Sequence, residues 1–212
     1  MLATEKLVDS LKDQLKAARE AAGIYDASAY GQFLASGPDA PGFLHRMLSN
    51  EVQKLAVGEG RYQGLLDRKG MTLSLFYLKR LAPQDFLGIT PPQLREKTIG
   101  TLTKMKFIEK VTIVDATSER GLLFLIGPKA DALKALLPTS ASLIVWSEDT
   151  FGLPWVTVSG PKAEIEAVRV DFEGKAVVLG DEAVRLLRMA ANFPEYGVDL
   201  DEGHILLETP LP

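Results

Sequence analysis

The start of the chain places apolar residues at helical spacing among charged ones. Lysine, aspartate and glutamate separate four leucines, Leu2, Leu7, Leu11 and Leu15. This spacing predicts an amphipathic helix over about 4–22 that ends before Gly23. The apolar stripe is narrow and the polar face carries both signs of charge, which favours a helix packed on its own domain over a membrane-surface helix or a coiled coil.

A strand-like apolar run, a Gly-Pro pair and a helical pattern follow one another twice. The two segments are GQFLASGPDAPGFLHRML and GLLFLIGPKADALKALLP, and Gly127 follows Gly37 by 90 positions. Glycine permits a sharp corner between strand and helix, and proline suits the opening of a helix because its φ is pre-set. A single glycine does not supply the several backbone N–H groups that cradle a phosphate, so a structural corner is favoured over a phosphate loop.

The rest of the chain interleaves strand and helix patterns. RYQGLLDRKGMTLSLFYLKR predicts a hairpin with its turn at 67–70. Further strands are predicted in DFLGIT, VTIVDAT, ASLIVWS, LPWVTVSG and AEIEAVRV, and helices in PPQLREKTIGTLTKM and around 181–191. The interleaving predicts an α+β fold with mixed and antiparallel sheets, arranged as two packed lobes over about 23–118 and 119–212.

Composition narrows the classes of function. The chain has 212 residues, 46% of them hydrophobic, with a net charge of −4, so it can bury a large core and lacks the basic surface that nucleic acid requires. It has no cysteine and only two histidines, which argues against disulfides, thiolate chemistry and Cys- or His-rich metal sites. Charges throughout the N-terminal region argue against a signal sequence, and no apolar run approaches the length of a membrane span. A soluble cytoplasmic protein with neither nucleic acid nor a membrane as its partner is predicted.

Two long segments carry a resemblance to a known family. They are AAGIYDASAYGQFLASGPDAPGFLHRMLSNEVQKLAVGEGRYQGLLDRKGM and LRMAANFPEYGVDLDEGHILLETPL. No single motif in them is specific, but their ordered set resembles the folate-binding region of the glycine-cleavage T-protein and YgfZ superfamily over nearly the whole chain. The resemblance implies a GcvT/YgfZ-like folate-binding domain and tetrahydrofolate as its ligand.

The same resemblance bears on catalysis. T-proteins transfer an aminomethyl-derived carbon to tetrahydrofolate, whereas YgfZ-like members lack this activity and support iron–sulfur protein maintenance. Where T-proteins carry a carboxylate pair after the hairpin and a further carboxylate in a Thr-Gly-Glu segment, this chain has Leu73, Ser74 and Pro161. An active aminomethyltransferase is therefore the least favoured hypothesis, because proton transfer requires a placed acid or base.

The resemblance places three residues at folate-contacting positions of the family, namely Tyr62, Thr90 and Arg188. Thr90 replaces an asparagine but keeps a hydrogen-bonding group, and the planar fork of Arg188 suits a folate carboxylate. Structural alternatives stay open, with Tyr62 as a packing residue and Arg188 as a tie to Asp199 or Asp201. The acidic loop around those aspartates lacks the glycine and closing glutamate of a calcium loop, so no metal is expected.

YgfZ-like proteins continue beyond the stretch that resembles DLDEGHILLETPL into a cysteine-bearing segment and a small β-barrel, both of which this chain is expected to lack. The leading hypothesis is a non-catalytic, tetrahydrofolate-binding accessory protein in iron–sulfur maintenance or one-carbon metabolism. The alternative is a scaffold subunit without folate, as in the small T-protein-like subunits of multi-subunit amine oxidases. In either case we expect a protein partner or self-association at the face where a barrel would dock.

Overall fold

The computed structural model describes residues 2–150 and 152–209. The chain forms two compact units, each with its own sheet. The first unit comprises Met1–Ser28 and Glu119–Phe193, and the second comprises Ala29–Ser118 and Pro194–Pro212. Both ends of the chain belong to the unit formed mainly by the other half of the sequence.

The first unit contains a mixed sheet and four helices. Its elements are α1 (Leu2–Glu20), β1 (Gly23–Asp26), β7 (Arg120–Ile126), α4 (Ala130–Lys134), β8 (Ile144–Thr150), β9 (Leu153–Pro161), α5 (Lys162–Phe172), β10 (Val177–Val178) and α6 (Asp181–Ala190). The strand order is β10-β1-β7-β9-β8. Only β1 and β10 run parallel, so β1 connects the start of the chain to strands of its second half.

The predicted strand AEIEAVRV is wrong, because this stretch lies in helix α5. Its buried side chains are Ile165, Val168 and Phe172, which follow one another at helical rather than alternating spacing. They pack against Leu123 and Val158 of the sheet in the core of the first unit. The correct period was present in the sequence, but the short alternation AEIEAV concealed it.

The second unit is built on an antiparallel sheet. Its elements are β2 (Gly31–Ser36), α2 (Ala40–Met47), β3 (Gly60–Leu66), β4 (Thr72–Ala82), β5 (Asp85–Thr90), α3 (Arg95–Lys104), β6 (Thr112–Asp115) and two short 3-10 helices, Pro92–Leu94 and Leu206–Glu208. The strand order is β3-β4-β5-β2-β6. The core on one face of this sheet combines Phe33 and Phe76 with Leu44 of α2 and Leu102 of α3. Together the two units confirm the predicted α+β class with mixed and antiparallel sheets.

Both predicted Gly-Pro corners are present. Gly37 joins β2 to α2 with φ of 125°, and Gly127 joins β7 to α4 with φ of 126°. A Cβ on Gly37 would lie 2.2 Å from the Lys110 carbonyl oxygen, and one on Gly127 would lie 2.5 Å from that of Ala18. Each glycine therefore provides a left-handed conformation and space for a crossing backbone, which is the predicted structural role.

Candidate functional site

Tyr62 lies on β3 in the second unit, within a row of side chains on one face of the sheet. It stands opposite Tyr77 of β4, and Tyr77 stands opposite Ile89 of β5. The two tyrosine rings meet edge to face, with 5.7 Å between their centroids. Tyr62 is partly exposed, so its ring has both a packing partner and an accessible surface.

Thr90 follows Ile89 on β5, and its side chain therefore points to the opposite face from Tyr62. It is fully buried, and its Oγ1 lies 3.4 Å from Oγ1 of Thr98 on α3. Thr98 donates to the Leu94 carbonyl oxygen at 2.7 Å and lies 2.6 Å from Oγ of Ser74. The structure thus places Thr90 in a buried cluster of three hydroxyls (Ser74, Thr90 and Thr98) and does not bring it onto the same face as Tyr62.

Leu73 and Ser74, which the resemblance matches to the carboxylate pair of T-proteins, lie at an irregularity of β4. Leu65 pairs with Ser74 and Leu66 with Thr72, so Leu73 is an extra residue in this strand. Leu73 is partly buried against the core of the second unit, and Ser74 is fully buried. An apolar side chain, Leu73, and a hydrogen-bonded hydroxyl, that of Ser74, therefore occupy these positions.

Pro161, at the third position, ends β9 in the first unit and stands opposite Arg120 of β7. Nε and Nη2 of Arg120 both donate to Oγ of Ser159 at 3.1 Å. Burial lowers the pKa of Arg120. Pro161 has no side-chain acceptor for the donor edge of a pterin. Its neighbour on β7 is the cationic Arg120.

Arg188 lies in the last turn of α6 and is only 8% exposed. Its Nη1 donates to the carbonyl oxygen of Phe193 at 2.7 Å, and the backbone N–H of Phe193 donates to the Arg188 carbonyl oxygen at 3.1 Å. Asn192 between them adopts a left-handed conformation with φ of 53°. The guanidinium thus helps to close the turn that follows the helix, and one of its donor atoms is used there.

A carboxylate that the sequence interpretation missed lies on the sheet of the first unit. Glu148 of β8 accepts hydrogen bonds from Nε1 of Trp146 and from Oγ1 of Thr157, each at 3.2 Å. These residues share a face with Trp155 and Phe124, whose rings lie 4.9 Å apart. The predicted strand ASLIVWS ended at Ser147, one residue before Glu148. Its alternation, extended from Trp146 to Glu148, was the available signal, because it places an acid beside an aromatic ring on one face.

The acidic loop after α6 is held to the sheet of the second unit by Tyr196. Its hydroxyl donates to the Thr72 carbonyl oxygen at 3.2 Å and accepts from Nζ of Lys97 at 2.9 Å. Lys97 also pairs with Glu202. Burial alone would lower the pKa of Lys97, but the hydrogen bonds to Glu202 and Tyr196 outweigh it and raise that pKa.

The described residues contain no group of three or more metal-ligating side chains that would hold an ion. Among the helices within 2–150 and 152–209, none is long and apolar enough to cross a membrane.

Comparison with solved structures establishes the fold. The glycine cleavage system aminomethyltransferase T from Bartonella henselae superposes with a TM-score of 0.84 over 91% of this chain and 57% of its own, at 23% sequence identity. The GcvT-like fold expected from the resemblance is therefore confirmed.

Comparison with curated sequences gives aminomethyltransferases among the relatives. An aminomethyltransferase from Thermus thermophilus is 33% identical over 124 residues, which are 58% of this chain and 36% of the relative. One from Lysinibacillus sphaericus is 32% identical over 136 residues, which are 64% of this chain and 37% of the relative. These alignments span little more than a third of each relative. The family model described as the GCVT N-terminal domain matches residues 3–176, and the chain belongs to that family.

Proposed function

We propose that this chain binds a reduced folate such as tetrahydrofolate and does not itself transfer an aminomethyl group. Family membership over residues 3–176 supports the ligand. The absence of catalysis is inferred from the three positions where related T-proteins carry acids. Leu73 is apolar, Pro161 has no side-chain acceptor, and the hydroxyl of Ser74 is hydrogen-bonded to Thr98 inside the second unit. The role we propose is that of a YgfZ-like accessory protein in iron–sulfur maintenance or one-carbon metabolism.

We further propose that two of the predicted residues contribute to folate binding, Tyr62 of the second unit and Arg188 of the first. Tyr62 offers a partly exposed aromatic ring, which suits a flat heterocycle. Arg188 offers a guanidinium that donates from Nη1 to a neutral carbonyl oxygen, and its charge suits a carboxylate. Thr90 is not proposed as a contact residue, because its hydroxyl is buried beside that of Thr98. We also propose that Glu148 accepts hydrogen bonds from the donor edge of the pterin, since it lies beside aromatic rings in the first unit.

The test is calorimetric titration of the chain with tetrahydrofolate under reducing conditions. Loss of a bidentate carboxylate contact costs about 1.5–3 kcal/mol, so Arg188→Ala should weaken binding at least about tenfold. Arg185→Ala is the matched control, because Arg185 lies on the same helix, is exposed, and pairs only loosely with Glu182 at 3.7 Å. A cooperative melting transition must show that the Arg188 variant is folded, and Arg188→Lys retains the charge without the fork.

Two further variants separate contact residues from packing residues. Glu148→Gln should weaken binding because it removes a charged acceptor, whereas Thr90→Val should leave the affinity unchanged. No heat at millimolar folate would refute the binding proposal. Formation of methylene-tetrahydrofolate from an aminomethyl donor would refute the absence of catalysis.

A scaffold role without folate is the second candidate, and the C-terminal segment of the second unit favours it. Three large apolar side chains are exposed there, with Val198 60%, Ile205 42% and Leu207 94% accessible. Exposed apolar side chains of this size gain most from burial against a partner, which is why they favour an interaction role. Light scattering coupled to gel filtration should then show self-association or a stable partner complex that Leu207→Ser weakens, while folate titration gives no heat.

A further inference from the structure

The connection between α3 and β6 in the second unit exposes large apolar side chains among lysines. Residues 104–110, which we name the tip segment, read KMKFIEK. Phe107 is 84% exposed and Ile108 is 93% exposed, and Met105 is also exposed. Three lysines stand against one glutamate in this segment, whereas the chain as a whole carries a net negative charge.

Hydrogen bonds hold the tip segment in place from behind. The carboxylate of Glu109 accepts the backbone N–H groups of Phe107 at 3.0 Å and Ile108 at 3.2 Å, and it forms an ion pair with Arg46 at the end of α2. The backbone N–H of Lys110 donates to Oδ2 of Asp39 at 2.7 Å. The two adjacent apolar side chains are therefore displayed by an ordered backbone.

The charges around the tip segment favour an anionic counterpart. Glu109 is compensated by Arg46, and the bonds from Phe107 and its neighbours hold the pKa of Glu109 below its usual range. Among the described residues, the ammonium groups of Lys104, Lys106 and Lys110 have no hydrogen-bonded or ion-paired carboxylate. Lysine side chains can lay their methylene stems along an apolar surface while their charge stays at its polar boundary.

We propose that the tip segment docks this chain on an anionic lipid membrane surface. Phe107 and Ile108 enter the boundary between headgroups and acyl chains, and the three lysines face the anionic headgroups. A bilayer is favoured over a protein partner because two almost fully exposed apolar side chains stand among three lysines, which is the combination that an anionic lipid surface binds. A lipid interface accepts such side chains without a matching groove. This surface is independent of the proposed folate binding.

Vesicle co-sedimentation with the full chain tests the proposal. The chain should partition onto phosphatidylcholine vesicles containing about 30% phosphatidylserine and much less onto phosphatidylcholine alone, and added salt should weaken it. Phe107→Ser/Ile108→Ser and, separately, Lys104→Glu/Lys106→Glu should each lower the partition coefficient at least about tenfold. Val57→Ser is the matched control, because Val57 is also an exposed apolar residue of the second unit, 56% accessible, and it should leave partitioning unchanged.

A fluorescent reporter gives a second measurement. The fluorescence emission of the Phe107→Trp variant should shift to the blue when anionic vesicles are added. The native Trp146 and Trp155 are already buried, so their emission should not change. The proposal is overturned if the chain does not sediment with anionic vesicles, or if sedimentation is the same after the Phe107 and Ile108 substitutions. It is also overturned if those substitutions instead dissociate an oligomer in lipid-free solution, which would make the tip segment a contact between copies of the chain.

Discussion

Replacing Thr98 by valine tests whether the buried hydroxyl cluster stabilises the second unit. The change keeps the shape and β-branching of the side chain and removes one hydroxyl. That hydroxyl lies 2.7 Å from the Leu94 carbonyl oxygen and 2.6 Å from Oγ of Ser74. No new cavity arises, so the effect isolates hydrogen bonding.

The expected magnitude follows from what remains buried. Ser74 is fully buried, and its hydroxyl is hydrogen-bonded to that of Thr98. A buried polar group that loses its partner costs about 1–3 kcal/mol, and the lost bond to the helix carbonyl adds about 1 kcal/mol. Thr98→Val should therefore lower the free energy of unfolding by about 2–4 kcal/mol.

Urea unfolding followed by circular dichroism measures this change. Thr103→Val is the control, because Thr103 lies on the same helix and is exposed, and it should change the stability by less than about 0.5 kcal/mol. Adding Ser74→Ala to Thr98→Val should restore part of the stability, since the hydroxyl of Ser74 is then no longer buried without its partner. A Thr98 variant as stable as its control, or strictly additive effects of the two substitutions, would refute the reasoning.

Three further predictions address the corners, the hairpin turn and the corrected helix. Gly37→Ala should lower the free energy of unfolding by about 2 kcal/mol or more, whereas Gly58→Ala, with positive φ but open space, should cost less. The backbone N–H of Met71, with others in the turn, lowers the pKa of Asp67. The stability that ionised Asp67 contributes to the folded state is therefore fully present above the unfolded pKa of about 3.9. It is lost as the pH falls through the lower folded pKa. Asp67→Asn should flatten this acid limb in unfolding experiments. Phe172→Ala should cost about 3–5 kcal/mol by urea unfolding if α5 packs as described, and a negligible cost would contradict that packing.

Local signals in the sequence predicted elements that short-range chemistry determines. The two Gly-Pro corners at Gly37 and Gly127 and the turn at Asp67 require particular backbone angles or side-chain bonds, and they formed as expected. The α5 helix was mistaken because a few alternating residues outweighed the spacing of Ile165, Val168 and Phe172. Local pattern alone does not decide between the two periods in so short a stretch.

Long-range pairing could not be predicted from local patterns. The strand beginning at Gly23 pairs with β7, about a hundred positions further along the chain. The first unit is therefore built from two separate segments of the sequence. The register across β3, β4 and β5 decides on which face of the sheet the side chains of Tyr62 and Thr90 lie. A shift of one residue would have placed both side chains on one face.

The register also explains why the second unit is unsuited to an acid at position 74. Its side chain points to the face covered by α3, where the hydroxyl of Thr98 and the core around Phe76 enclose it. An unpaired carboxylate there would lose its water and would cost several kcal/mol or take up a proton. The neighbouring Leu73 is the extra residue of the strand and packs against the same core. Packing in this part of the sheet thus accounts for an apolar side chain and a hydroxyl at the two positions.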